Sequence, residues 1–94
     1  MTPNQQVVER YMDGFRKSDH QQVLSCLTDD VEWLIPGAFH THGKDEFGEH
    51  ILEEGFEPHP DIQIVRVVEE GDVVVAEGSA SGRRTNGDSF RVVF

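Results

Sequence analysis

At Asp61 the spacing of apolar side chains changes from about 3.6 residues to about 2, which divides the chain into a mainly helical half and a stranded half. Downstream, Ile62, Ile64, Val65, Val67 and Val68 read as a strand, Glu70-Gly71-Asp72 as a turn, and residues 73–80 as the returning strand of a hairpin. Asn86-Gly87 is the favoured pair for a tight primed turn, and Phe90-Arg91-Val92-Val93-Phe94 begins another strand. A meander of this kind must bury one face, and the upstream helices are the elements available to cover it. The expected class is therefore α+β, with helices on one face of an antiparallel sheet.

Upstream, Thr2-Pro3-Asn4-Gln5 has the capping-box arrangement, a Thr cap with Pro at the first helical position and Gln at the third. Val7, Val8, Tyr11, Met12 and Phe15 then form one apolar stripe, opposite Glu9, Arg10, Asp13 and Arg16, in a helix expected to end near Ser18. Asp19 caps a second, short helix that buries Val23, Leu24 and Leu27 and is broken by Thr28-Asp29-Asp30. Residues 31–35 read as a strand ending at Pro36-Gly37, followed by a loop carrying Phe39, His40 and His42. After Gly43, the residues Phe47, Ile51 and Leu52 mark a third helix closing at Gly55, with Glu46, Glu49, Glu53 and Glu54 on its solvated face.

The 94 residues allow one domain, 1–94, whose core is marginal in size unless a partner covers more surface. A homodimer joined through the valine-rich strands of the sheet is the expected assembly. A formal charge of −10 repels phosphate backbones and anionic lipid, and Arg66, Arg83, Arg84 and Arg91 are scattered, so nucleic acid is not an expected partner. The single cysteine, Cys26, excludes an internal disulfide and reads as a small buried apolar residue on a helix face. Neither a membrane span nor a signal-peptide layout is visible, which makes the cytoplasm the expected location.

The order helix, helix, strand, helix, three strands, together with Val8-Glu9-Arg10-Tyr11, Thr28-Asp29-Asp30-Val31-Glu32-Trp33 and Pro36-Gly37, resembles the SnoaL-like and ketosteroid-isomerase-like proteins. These share the cone-shaped fold named for nuclear transport factor 2 (NTF2). The resemblance implies three helices packed on a curved antiparallel sheet, around a small-molecule pocket. It also implies further C-terminal strands that close the cone, so the chain is expected to be short or truncated, with a partner chain or an exposed apolar edge at the sheet. In the isomerase branch a helix-1 Tyr at the spacing of Tyr11 from Asp29-Asp30 donates a hydrogen bond to the substrate oxygen. The branch's catalytic Asp stands one residue before the strand-ending Pro, a place held here by Ile35. Its second oxyanion donor, a protonated Asp, would fall beyond Phe94. Steroid isomerisation by that mechanism is therefore not expected.

The residues expected to line the pocket are Tyr11, Phe15, Trp33, Ile35, Phe47 and Ile51, the alternative being that they are ordinary core side chains. Tyr11 and Trp33 carry polar groups that need partners when buried. His40 and His42 share a face if their loop is extended, and His50 could complete a three-His set. The spacing carries no metal signature, so no metal or other cofactor is expected. His40 remains a candidate acid or base. Glu77 is a candidate base with a raised pKa if it faces inward with Val73 and Val75. In the opposite register Val74, Ala76, Gly78 and Ala80 face inward, and Glu77 and Ser79 lie at a dimer surface or in solvent. Two functions are open. One is a cofactor-independent isomerase, hydrolase or cyclase acting on an apolar, oxygen-bearing ligand. The other is a non-catalytic ligand-binding or dimerisation module.

Overall fold

The first helix, α1 (Pro3–Arg16), opens as its cap residues predict: the Thr2 side chain accepts the Gln5 N–H at 3.2 Å, with Pro3 in the first turn. A computed structural model describes residues 2–37, 39–52 and 57–94 of the chain. The helix stops at Arg16 because Ser18 takes φ +55°. Its N–H then reaches the Phe15 carbonyl at 3.1 Å, and the Asp19 N–H reaches that of Gly14 at 2.8 Å. This pair of bonds is a Schellman closure, with Ser in the place usually taken by Gly. Asp19 then caps α2 (His20–Ser25), accepting the Gln22 N–H at 3.1 Å.

β1 (Glu32–Ile35) is followed by an element that the sequence reading leaves as a loop: β2 (Phe39–His42) pairs antiparallel with β1, from Glu32 opposite His42 to Ile35 opposite Phe39. Gly37, at φ +82° after Pro36, lets the chain reverse between them. α3 (Lys44–Leu52) comes next; Glu53, Glu54 and Gly55, read as its end, lie outside the described residues, as does the Leu52 side chain.

β3 (Asp61–Glu70), β4 (Val73–Arg83) and β5 (Ser89–Val93) form the three-stranded antiparallel meander. Between β3 and β4 the register steps from Ile64 opposite Gly78 to Arg66 opposite Glu77, leaving Val65 as a bulge that bends the strand. The bulge also switches parity: Ile62 and Ile64 share a face with Val67 and Glu69, opposite Ala80, Gly78, Ala76 and Val74. That face meets α1. Arg16 Nε donates to the Ile62 carbonyl at 2.8 Å, while Thr2 Oγ1 and Asn4 Nδ2 (3.0 Å) donate to the Glu69 carboxylate. Gly78 is required here, since a Cβ would stand 2.0 Å from the Gln63 carbonyl oxygen.

The β4–β5 connection corrects the expected primed turn. Among its described residues only Gly87 has positive φ, at +96°, and its N–H donates to the Arg84 carbonyl while the Arg84 N–H donates to Asp88. This is a three-residue loop ending in a left-handed glycine. Asn86 uses its side-chain oxygen to accept the Asp88 N–H at 3.0 Å and does not take the left-handed conformation itself.

Val23, Phe47 and Ile51 are the buried apolar centre, with Tyr11, Phe15, Leu24, Leu27 and Trp33 packed against it. α1 lies on β3 and β4, whereas α3 lies on α2 and the β1–β2 hairpin. Among the described residues, no helix is long and apolar enough to cross a membrane.

Candidate functional site

Five of the six expected pocket residues come together. Tyr11 and Phe15, one helical turn apart on α1, meet edge to face at 5.1 Å between centroids, and Tyr11 lies 6.4 Å from Phe47. Phe47 in turn meets Trp33 edge to face at 4.5 Å, and Ile51 is buried beside it. Such edge contacts suit the ring quadrupoles and hold the aromatic planes at fixed angles. The sixth residue, Ile35, is 41% exposed at the hairpin's turn end.

The cluster extends to two residues that the sequence reading placed elsewhere. Phe39, opposite Ile35 in the hairpin, lies 4.5 Å from Trp33, and the His50 imidazole lies against Phe39 at 4.0 Å, tilted by 41°, and 5.5 Å from Trp33. His50, read only as a third metal ligand, is thus the histidine that reaches the aromatic group. The signal was its place on α3, three residues after Phe47 and on the same side of the helix. Thr41, opposite Trp33, is 4% exposed, and its hydroxyl has no hydrogen-bond partner among the described residues.

His40 and His42 point the other way. Both are exposed on the outer side of the hairpin, where the rings lie 4.2 Å apart. Glu32, directly opposite His42, places one carboxylate oxygen 3.4 Å from His42 Nδ1 and the other 3.9 Å from His40 Nε2. Reading residues 39–42 as a loop conceals the partnership with Glu32; the alternation Phe39-His40-Thr41-His42 after Pro36-Gly37 is the sequence signal for it.

Glu77 takes the outward register. It pairs with Arg66 at 2.6 Å on the sheet face away from α1, and this contact raises the Arg66 pKa from its ordinary value. On α1, Asp13 is held below the usual carboxylate range, first by its hydrogen bond from Lys17 (2.8 Å), then by one from Gln22 (3.2 Å). This network faces away from the aromatic cluster and serves the α1–α2 joint.

The inner face of the sheet is only partly covered. Val67, Val92 and Phe94 lie on it, by their pairing with Ala76, Ala80 and Gly78, and keep 38%, 51% and 41% of their surface exposed. Open hollows lie elsewhere among the described residues. One of about 650 Å³ runs between α2 and α3 past Leu24, Gly48 and Glu49, and another of about 520 Å³ adjoins Asp29, His42 and Lys44.

No curated protein matches the sequence. Among solved structures, an NTF2-like protein of unknown function from Burkholderia pseudomallei superposes with a TM-score of 0.83 at 25% identity, over 100% of this chain and 78% of its own. TerC, co-crystallised with polyporic acid, gives a TM-score of 0.83 at 22% identity over 99% of this chain and 78% of its own. An epoxide hydrolase of the LEH-like type from M. tuberculosis gives 0.77 at 18%, over 97% of this chain and 66% of its own. Residues 8–94 match the SnoaL-like domain family, and with the α+β order and the aromatic cluster already in place, this chain belongs to that family.

Proposed function

We propose that this domain binds an apolar, oxygen-bearing small molecule between its aromatic cluster and the uncovered inner face of β3–β5, with the Tyr11 hydroxyl donating a hydrogen bond to a ligand oxygen. The observation that carries the reading is the gathering of Tyr11, Phe15, Trp33 and Phe47 into one cluster, while the candidate base Glu77 is turned to the opposite face of the sheet. Rings held at fixed angles with a few hydrogen-bonding groups are what a small-molecule site needs. The outer face of the same sheet, with Val65, Val68, Val73, Val75 and Val93 exposed, would be covered by a second copy of the chain.

A second reading, a cofactor-independent isomerase, hydrolase or cyclase, is favoured by one observation. The cluster holds His50 beside Trp33 and Phe39, so it contains an imidazole as well as the Tyr11 phenol. The fold likeness to an epoxide hydrolase is compatible with such chemistry, and Ile35 in place of an acid argues against the ketosteroid mechanism.

Polyporic acid, an aryl-substituted hydroxyquinone, is a suitable probe, titrated against Trp33 fluorescence. Tyr11→Phe keeps the ring and deletes the hydroxyl, so affinity should fall about tenfold with the melting temperature little changed, the loss expected for one hydrogen bond of ~1.4 kcal/mol. Glu77→Gln should bind as wild type. Unchanged affinity in Tyr11→Phe with lowered stability would make Tyr11 a scaffold residue and defeat the proposal. Turnover lost in His50→Gln while binding persists would favour the enzymatic reading.

A further inference from the structure

The β1–β2 hairpin brings together three side chains that the aromatic site does not use. His40 and His42 are two apart on one strand, and so project from the same side with backbones roughly 7 Å apart. Glu32 is the direct cross-strand neighbour of His42 and the diagonal neighbour of His40. The nearest ligand atoms of the three all lie within 4.8 Å of one another, and the two closest imidazole–carboxylate approaches are 3.4 and 3.9 Å.

We propose that Glu32, His40 and His42 form an exchangeable site for a divalent first-row transition-metal ion, bound by two imidazole nitrogens and one carboxylate oxygen. An ion with metal–nitrogen bonds of about 2.0–2.1 Å in tetrahedral geometry needs its ligand atoms about 3.3 Å apart. His42 and Glu32 already meet that spacing. All separations lie within 4.8 Å, so none needs to close by more than about 1.5 Å, a movement within reach of exposed side chains turning on a fixed strand pair.

The donor set sets the ion. Imidazole nitrogen selects copper, nickel and zinc over calcium and magnesium, which take oxygen ligands. The carboxylate offsets part of the ion's charge, and a chain carrying −10 attracts cations generally. Three protein ligands leave at least one position for water or an external ligand. His50 does not belong to this set, because its ring lies against Phe39 and Trp33 on the other side of the hairpin. The site is therefore His₂Glu and lies on the outer side of the hairpin, opposite the Trp33–Thr41 side that packs into the cluster.

The test is calorimetric titration of untagged, chelator-treated protein with ZnCl₂. One equivalent should bind saturably. His40→Gln and His42→Gln should each weaken binding by about tenfold or more and Glu32→Gln by a smaller factor, whereas His20→Gln, away from the hairpin, should leave it unchanged. Copper loading of the wild type provides a reading independent of any variant's folding, since electron paramagnetic resonance should show two equatorial nitrogens. Absence of saturable zinc binding up to about millimolar metal, affinity retained in the His40→Gln/His42→Gln double variant, or a copper signal without the two-nitrogen pattern would each overturn the proposal.

Discussion

Gly14→Ala sets two rules of protein stability against each other at one atom. In an exposed helix interior the change is favourable by about 0.8–1 kcal/mol, because Ala loses less backbone entropy than Gly. Gly14 is not exposed: it is the buried residue of α1 where that helix crosses α2. An added Cβ would stand 2.7 Å from Val23 Cγ2, 3.0 Å from the Val23 nitrogen and 3.2 Å from the Asp19 carbonyl oxygen. The last two atoms are the donor and acceptor of the first hydrogen bond of α2, 3.2 Å long. They cannot rotate away as a side chain can. Val23 itself is fully buried, so its methyl has no open space to enter. Overpacking of this kind costs about 1–3 kcal/mol, and the involvement of backbone puts the strain toward the upper end. Set against the helix gain, the net expectation is destabilisation by about 1–2 kcal/mol, or roughly 5–15 °C in melting temperature for a chain of this size. Circular dichroism melts at one fixed protein concentration measure it, since a dimer's melting point depends on concentration. Val23→Ala, by removing Cγ2, should reduce the penalty of the second change in a double-mutant cycle. A melting temperature raised by Gly14→Ala would refute the reasoning, because α2 would then have yielded freely.

Two further outcomes follow from the surface. Val75→Glu, placed among the exposed valines on the outer face of the sheet, should convert a light-scattering dimer into a monomer at micromolar concentration; an unchanged mass would remove this face as the interface. Asp13 has a folded-state pKa below its ordinary 3.8, so its contribution is present above that value and is lost as pH falls through the depressed one. The difference in melting temperature between wild type and Asp13→Asn should therefore be measurable at neutral pH and vanish in strong acid, and a difference that grew on acidification would contradict the assignment.

The helix starts were legible because Thr2 and Asp19 act locally, each bonding an N–H three residues on. The period-2 strands and the Gly71 turn were legible for the same reason. What the sequence concealed was decided by pairing. Phe39-His40-Thr41-His42 has too few residues to declare a strand alone, and becomes one only because β1 pairs with it, the Val31 carbonyl accepting the Gly43 N–H just beyond. The end of α1, expected near Ser18, comes at Arg16, and what the residue types did not signal is how it closes, since Ser18 adopts a conformation that Gly usually supplies. Of the site, the aromatic members were readable from their stripes. The orientation of His40 and the arrival of His50 were not, since both depend on which side of an unrecognised hairpin faces α3.

Val65 shows how much one unpaired residue decides. With uninterrupted alternation from Ile62 and Ile64, the next side chains toward α1 would be Arg66, Val68 and Glu70, putting a guanidinium and a carboxylate against the helix. The bulge shifts the count by one. Val67 and Glu69 face α1 instead, and Glu69 lies where Thr2 and Asn4 donate to it, so the inward carboxylate oxygens have hydrogen-bond partners at the helix start. Arg66 moves to the outer face, opposite Glu77. The apolar character of the inner face thus depends on a register step and not on composition. A bulge also bends the strand that carries it, so the shape of the inner face and its chemistry have a single structural origin.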